Sequence, residues 1–218
     1  MRRLPVQPMS LYYQDDSVTI YHGDARQIVP GLTFDVIVTD PPYGMNGNWV
    51  NATAHDAIAG DDSFDLAQWV LAVRSRQSVV FGAHQFPHLL QPGGQWFVWD
   101  KRTTEAADRM IGTPFEFAYS ARPGKNQMLR CMHGGLVNAN RPGKRRDHPT
   151  EKPVPMLRQL LASVLPGIIC DPFAGVGTTL LAAKSMGRTA VGIELEERYC
   201  EIAANRCGQE VMDMGGAA

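Results

Sequence analysis

Residues 168–184 read IICDPFAGVGTTLLAAK, and this stretch decides the fold. The apolar run at its start is typical of a strand that is buried on both faces of a parallel sheet. The Thr, Leu and Ala residues at its end are typical of a helix. Between them, Gly175 and Gly177 allow a tight turn in which the backbone approaches a ligand with no side chain in the way. The stretch therefore predicts a strand, a ligand-binding turn and a helix.

The residues after this turn indicate which ligand it binds. Glu194 ends another apolar run seventeen residues past Gly177, where its carboxylate can accept hydrogen bonds from two ribose hydroxyls. Leu180 stands where the dinucleotide fingerprint has its third glycine. That departure counts against a pyrophosphate and favours a nucleoside without phosphates.

Short apolar runs that stop at an acid recur along the chain and predict further strands of the same sheet. They are residues 17–21 before Asp24, 34–39 before Asp40, 95–99 before Asp100, 167–170 before Asp171 and 189–193 before Glu194. Residues 115–119 predict one further strand, which does not stop at an acid. Helical patterns cover residues 64–74, 154–164, 178–186 and 196–206. The alternation predicts a doubly wound α/β fold with a mostly parallel sheet, in which ligands bind at the carboxyl ends of the strands. The alternative role for each acid is to cap the helix that follows it.

Composition restricts the class of protein. The 218 residues are 44% hydrophobic with a formal net charge of −1, which predicts one soluble domain and no membrane span. The basic residues Arg2 and Arg3 are not followed by the apolar stretch of a secretory signal. The four cysteines form no CxxC pair. We therefore expect reduced thiols, a cytoplasmic protein and no metal site.

A second motif, Asp40-Pro41-Pro42-Tyr43, follows the predicted strand 34–39. The two prolines fix the backbone and remove two N–H donors, so the turn presents acceptors. Asp40 and the Pro41 carbonyl can accept both protons of a planar amino group and direct the nitrogen lone pair towards an electrophile. Tyr43 offers a face on which an extruded base can stack. The alternative is a rigid proline turn with a core tyrosine.

A basic segment lies between the two motifs. Residues 122–152 carry eight basic and two acidic side chains, in a chain with a net charge of −1. Lys144, Arg145 and Arg146 form its densest part. The segment is either an ordinary solvated surface or, as we predict, an arm that contacts the phosphates of double-stranded DNA.

With these motifs, the chain resembles the amino-methylating DNA methyltransferases, which modify N6 of adenine or N4 of cytosine. Asp40-Pro41-Pro42-Tyr43 matches their DPPY motif, residues 173–177 match their FxGxG motif, and residues 148–153 are similar to the segment that precedes it. The resemblance implies S-adenosylmethionine as methyl donor and no metal. It also implies a set of cofactor-binding residues, namely Asp24, Lys152, Asp171, Phe173, Gly175, Gly177, Thr178 and Glu194.

The order of the motifs is similar to that of the circularly permuted β group, because the catalytic motif comes first. The resemblance thus implies a Rossmann-like class I methyltransferase fold. It further implies a single catalytic domain over residues 1–218, with a small target-recognition insertion at about 101–149.

Several alternatives are weighed against adenine-N6 methylation. The DPPY form accompanies adenine more often than cytosine in the family, so cytosine-N4 methylation is the second choice. C5-methylation needs a cysteine nucleophile, and no cysteine here follows a proline. A nicotinamide-dependent oxidoreductase leaves the DPPY motif unexplained, and a non-catalytic DNA-binding protein leaves both motifs unexplained. RNA or a side-chain amide is an alternative acceptor. A homodimer and a cognate restriction endonuclease are compatible with the sequence, although no residue indicates either.

Overall fold

A computed structural model describes residues 10–42, 64–102, 113–131 and 151–213, with the side chains of 210–213 left out. Tyr43 and the basic residues Lys144, Arg145 and Arg146 therefore lie outside the described residues, and the predictions made for them stay predictions.

Within these ranges nine strands form one sheet, in the order β1-β2-β9-β8-β3-β4-β6-β5-β7. In chain order they are β1 (Ser10–Gln14), β2 (Val18–His22), β3 (Val36–Thr39), β4 (Gln77–Phe81), β5 (Gln95–Asp100), β6 (Phe115–Ser120), β7 (Gln127–Arg130), β8 (Ile169–Asp171) and β9 (Ala190–Glu194). The central strands β2, β9, β8, β3 and β4 are parallel to one another. Strand β6 is antiparallel to both of its neighbours, and β1 is antiparallel to β2. The prediction of a mostly parallel sheet is confirmed.

Helices cover both faces of this sheet. They are α1 (Ala25–Ile28), α2 (Asp65–Ala72), α3 (Val154–Leu161), α4 (Thr178–Lys184) and α5 (Glu197–Asp213), with 3-10 turns at Val29–Gly31, Ala83–Gln85 and Pro87–Leu89. One buried cluster joins α3, α4 and α5 to the sheet, and a second joins α1 and α2 to the opposite face. Strand β3 serves both clusters, because Val36 and Val38 point into the first and Ile37 into the second.

The five strands predicted from apolar runs are all present, and so are the four predicted helices. Strands β1, β4 and β7 and helix α1 were not predicted. Strand β4 is followed by Gly82 instead of by an acid, so it escapes a search for runs that stop at an acid. Strands β1 and β7 are short edge strands with several exposed positions, and they lack the continuous apolar run of a central strand.

The sheet has a switch point between β8 and β3. From β8 the chain passes through α4 to β9, on one side of the sheet, whereas from β3 it passes by α2 to β4, on the other side. The connections diverge at this point and leave a crevice at the carboxyl ends of the two strands. Both sequence motifs begin there, because Asp40 follows β3 and Asp171 ends β8.

Candidate active site

The acids predicted at strand ends share one edge of the sheet, here called the carboxyl edge. Asp40, Asp171 and Glu194 follow or end the neighbouring strands β3, β8 and β9. Asp24 lies just beyond β2, where the Gly23 amide donates to the Glu194 carbonyl at 2.9 Å. The parallel pairing of these strands brings together residues that are far apart in the chain.

Asp171 joins the two motifs beneath the surface. Its carboxylate is buried and accepts from the Thr39 hydroxyl at 2.7 Å and from the Phe173 amide at 3.2 Å. Burial raises the pKa of Asp171 to about 6, although hydrogen bonds from Thr179 and Thr39 oppose the rise. These bonds fix the start of the turn to the strand that leads to Asp40.

The glycine turn, residues 172–177, combines two glycines with different surroundings. Both have a positive φ, +52° at Gly175 and +77° at Gly177, a region that side chains disfavour. A Cβ at Gly175 would meet nothing within 4 Å, whereas one at Gly177 would lie 2.8 Å from Ala203 Cβ on α5. Gly175 thus faces open space where a ligand can approach, and Gly177 lets the turn pack against a helix.

Leu180 has a structural reason to replace a third glycine. Its side chain is fully buried, and its Cδ1 lies 2.7 Å from where a Cβ would stand on Gly192 of β9. Helix α4 therefore packs onto the sheet through a leucine over a glycine. Thr178, at the first position of α4, is also buried.

Glu194 faces the glycine turn from the next strand. Its two carboxylate oxygens accept from the Gly175 amide and from the Glu196 amide, each at 2.8 Å. Burial raises the pKa of this carboxyl to about 7, although the backbone hydrogen bonds from Glu196 and Gly175 lower it. A half-buried carboxylate with an elevated pKa, directed towards a glycine turn, is well suited to accept hydrogen bonds from ligand hydroxyls.

Asp24 and Phe173 flank this region. Asp24 caps α1 by accepting from the Arg26 amide at 2.9 Å and forms an ion pair with the Arg26 side chain at 2.6 Å, which lowers its pKa. Asp24 therefore caps the helix that follows it, which is the alternative role considered for these acids. The binding of the cofactor by Asp24 stays a prediction. Phe173 is half-buried, with its ring edge-on to Trp69 of α2 at a centroid distance of 6.2 Å.

Asp40 belongs to a row of four alternating charges, here called the charge cluster. Lys152 Nζ lies 2.5 Å from Asp40 Oδ2 and 3.2 Å from Glu116 Oε2. Lys101 Nζ lies 2.6 Å from the other oxygen of Glu116. Burial raises the pKa of Glu116, but the charges of Lys152 and Lys101 outweigh it and hold that pKa at about 2. Lys152, which is predicted to bind the cofactor, therefore forms an ion pair with Asp40, the first residue of the catalytic motif.

Glu151, the residue before Lys152, is also fixed in position by an ion pair. Glu151 and Arg206 of α5 form an ion pair at 3.0 Å, with side chains 1% and 5% exposed. Arg206 donates in addition to the carbonyl of Val176, inside the glycine turn, at 3.0 Å. A buried pair with this many partners fixes the backbone that carries Lys152 relative to the turn.

Sequence reasoning overlooked Glu116 and Arg206. A signal for Glu116 was present, because the strand Phe115-Glu116-Phe117-Ala118-Tyr119 places one acid among apolar residues. Arg206 carried no such signal, since a basic residue in an amphipathic helix is ordinary.

The basic segment is divided between two edges of the sheet. Strand β6 runs away from the carboxyl edge, so Arg122 and Lys125, which follow it, lie at the opposite edge. Strand β7 then returns and pairs Arg130 with Asp100 at the carboxyl edge. Arg130 is exposed, and its backbone is held by two hydrogen bonds with the Gln159 side chain. Of these three residues, Arg130 alone shares an edge with Asp40.

Other sequence expectations concern cysteines, metals and membranes. Cys131, Cys170, Cys200 and Cys207 are all free thiols. Over the described ranges, no three His, Cys, Asp or Glu side chains form a group that could hold a metal ion. In the same part of the chain, no helix combines the length and the hydropathy needed to cross a membrane.

Comparison with known proteins gives consistent matches. Residues 98–205 match the model of the DNA methylase family of N6 and N4 methyltransferases. The chain is 24% identical over 263 residues to the type II methyltransferase M.ScaI of Streptomyces caespitosus, with 93% of this chain and 85% of that protein covered.

Two solved structures share the fold. M1.HpyAVI in complex with SAM has a TM-score of 0.57 at 22% identity, with 87% of this chain and 98% of that chain covered. The cytosine-N4-specific PvuII DNA methyltransferase has a TM-score of 0.60 at 14% identity, with 93% of each chain covered. The prediction of a class I methyltransferase fold is thereby confirmed.

Proposed function

We propose that this chain is a member of the N6/N4 DNA methylase family, whose model matches residues 98–205, and that it transfers a methyl group from S-adenosylmethionine to the N6 amine of adenine in double-stranded DNA. The observation that carries the proposal is the adjacency of two motifs at the switch point of the sheet. Asp40 follows β3, the glycine turn follows β8, and these strands are neighbours. An acceptor for an amine and a turn suited to a nucleoside thus lie beside one crevice.

The glycine turn and Glu194 fit the cofactor. Gly175 has open space on its Cβ side, and Glu194 presents a carboxylate next to the Gly175 amide. We assign Glu194 to the ribose hydroxyls, Phe173 to packing against the cofactor, and Lys152 to its methionine end. Asp24 is assigned to the adenine side. When bound, the cofactor supplies an activated methyl group on a sulfonium.

Asp171, Gly177 and Thr178 are assigned a supporting role in cofactor binding. All three are buried or packed against the protein, and Asp171 uses its carboxylate for Thr39 and Phe173. We propose that they shape the turn, while Gly175 and Glu194 meet the ligand.

Asp40 and the Pro41 carbonyl are proposed to hold the target amine. Pro41 is buried and Asp40 is half-buried, so these acceptors are held in a fixed turn. Hydrogen bonds from both amine protons would localise the nitrogen lone pair and orient it for direct transfer, with no covalent enzyme intermediate. The target base must leave the duplex to reach this edge, and Tyr43 is proposed to stack on it.

We propose that DNA lies across the carboxyl edge, where its phosphates meet Arg130, and that Lys144, Arg145 and Arg146 also contact phosphates. Arg130 is exposed on the edge that carries Asp40. The other three are assigned from sequence, as are a single catalytic domain over 1–218 and a recognition segment within 101–149. A cytoplasmic location agrees with four free thiols. Sedimentation experiments would test for a homodimer, and pull-down experiments would test for a cognate endonuclease.

The test is incubation of the purified chain with methyl-labelled S-adenosylmethionine and unmethylated genomic DNA, followed by nucleoside analysis. We expect label in N6-methyl-2′-deoxyadenosine, and modification-aware sequencing should then report the recognition site. The Asp40→Ala protein, purified in parallel, controls for a co-purifying enzyme. Label in N4-methyl-2′-deoxycytidine would replace adenine by cytosine as the target, and label in neither nucleoside would refute the proposal.

A further inference from the structure

Glu116 lies beside the reaction centre because of the reversed direction of β6. This strand is antiparallel to β4 and β5, so its first residues lie at the carboxyl edge, where its neighbours end. Glu116 pairs in register with Trp99, next to the last residue of β5. An acid near the start of β6 is thereby placed on the edge that carries Asp40.

Lys152 connects Glu116 to Asp40. Its ammonium lies 2.5 Å from Asp40 Oδ2, 3.2 Å from Glu116 Oε2 and 5.0 Å from the centroid of the Phe81 ring. The lysine side chain is only 10% exposed, so water screens its charge weakly. Two carboxylates on different strands therefore share one nearly buried ammonium.

This sharing matters for the charge that methyl transfer creates. Transfer from a sulfonium to a neutral amine moves positive charge onto the amine nitrogen, next to Asp40. A negative carboxylate stabilises that change, but Lys152 bound to the same carboxylate offsets its charge. Glu116 supplies a second negative charge beside Lys152 and restores a negative potential at the amine.

We propose that Glu116 is a positioning residue for methyl transfer, acting through Lys152. It holds the ammonium on Asp40 Oδ2 and balances its charge, so that Asp40 remains an effective acceptor. The proposal rests on the proposed function, since it assumes that Asp40 meets the target amine. The charges of Lys152 and Lys101 hold the pKa of Glu116 at about 2, so this carboxylate is ionised at neutral pH.

Lys101 fixes Glu116 from the other side. It binds Oε1, the oxygen that Lys152 does not use, and its ammonium also lies 4.9 Å from the Trp99 ring centroid. Lys101 is therefore further along the charge cluster from Asp40, and its field at the amine is weaker than that of Lys152.

The first test is Glu116→Gln, with kcat measured at saturating DNA and cofactor. We expect kcat to fall roughly 10- to 100-fold, less than the 10²–10³-fold typical of removing a direct electrostatic partner. The Kd for S-adenosylmethionine, from calorimetry, should stay within about 2-fold of wild type, since Lys152, which is assigned to the cofactor, keeps its ion pair with Asp40 at 2.5 Å. An unchanged kcat, or a loss expressed only in that Kd, overturns the proposal.

Asp35→Asn is the matched control. Asp35 forms an ion pair with Arg76 at 3.2 Å, and its side chain is 31% exposed against 32% for Glu116. It precedes β3 at the opposite edge of the sheet, so this variant should keep wild-type kcat. An equal fall in both variants would show a general stability effect and overturn the role of Glu116.

A double-mutant cycle tests whether Glu116 acts through Lys152. In a Lys152→Met background, Glu116→Gln should change kcat by less than about 2-fold, because the charge that it balances is gone. A full loss in that background would mean that Glu116 acts independently of Lys152, and the proposal would fail.

Lys101→Met gives a test that does not depend on the folding of Glu116→Gln. Loss of this cation leaves the negative charge of Glu116 less compensated, so kcat at saturating DNA should equal or exceed that of wild type. A clear fall in kcat contradicts the charge argument.

If the wild-type chain methylates no DNA, the proposed function itself has failed. If wild type is active and Glu116→Gln equals it, only the present inference has failed.

Discussion

The hydroxyl of Thr39 donates a 2.7 Å hydrogen bond to Oδ1 of Asp171, across 132 residues of sequence. Thr39 is the last residue of β3, directly before Asp40, and Asp171 opens the glycine turn. One buried bond thus links the strand that carries the amine acceptor to the strand that carries the cofactor turn.

Thr39→Val should destabilise the protein by about 1–3 kcal/mol, because the nearly isosteric side chain leaves buried Asp171 without one donor. Urea unfolding measures the change. Thr39→Ser keeps the hydroxyl and is the control, with a much smaller loss. Equal stability of the valine variant and wild type would show that the bond contributes nothing to the fold.

Asp40→Ala should lower methyl transfer by at least roughly 10²–10³-fold, the loss typical of one preorganised electrostatic partner. Cofactor binding should survive, since Asp40 follows β3 and the glycine turn follows β8. Single-turnover transfer and calorimetry measure the two effects. A folded variant that binds cofactor and DNA and methylates at near the wild-type rate would exclude the proposed amine acceptor.

The two glycines of the turn should respond differently to alanine. Gly175→Ala places a methyl group in open space at φ +52°, so cofactor affinity should fall while stability drops by only about 1 kcal/mol. Gly177→Ala brings a Cβ within 2.8 Å of Ala203 Cβ, so its main effect should be a loss of stability of about 1–3 kcal/mol. Calorimetry and thermal unfolding of both variants decide. Wild-type cofactor affinity in Gly175→Ala would mean that the ligand does not approach this glycine.

The stability of the cofactor-free protein should fall as the pH rises from about 4 to about 7. Glu194 and Asp171 have pKa values raised to about 7 and about 6, above their ordinary values of 4.5 and 3.8, so these two carboxyls bind more protons in the folded state than in the unfolded state in this range. Burial lowers the pKa of His84, which opposes part of this fall. The carboxyls with lowered pKa values, Glu116 and Asp15 at about 2, act in the opposite sense at lower pH.

The Glu194→Gln variant separates the contribution of Glu194 to the pH dependence of stability from that of Asp171. Above about pH 6 the remaining fall is due mainly to Glu194, so the variant should lose stability less steeply between about pH 6 and 8 than wild type does. Thermal unfolding across this range is the measurement. Identical slopes for the two proteins would show that the pKa of Glu194 is not raised by folding.

Arg130→Ala should weaken DNA binding and reduce the slope of log K against log salt by about 1, as expected for one lost phosphate contact. The matched control is Arg122→Ala with Lys125→Ala, which removes two exposed charges from the opposite edge and should leave the slope unchanged. If the control changes the slope and Arg130→Ala does not, DNA does not lie across the carboxyl edge.

Much of the site could be predicted because its signals are local. The glycines of the turn, the proline pair after Asp40 and the acid that ends β9 are each readable within a few residues. The charge cluster could not be predicted this way, because Asp40, Lys152 and Glu116 come from three distant segments. The direction of β6, which brings Glu116 to the carboxyl edge, is set by pairing with β4 and β5. The residues of β6 alone do not indicate this direction.

By itself, the sequence determined most of the strands and helices and the two motifs, since apolar periodicity and the backbone limits of Gly and Pro act over short distances. Only the tertiary structure decided that Lys152 lies on Asp40, that Gly177 packs on Ala203, and that Arg122 and Arg130 occupy opposite edges. The reason is physical: these relations depend on strand order and direction, and long-range pairing across the whole sheet fixes both.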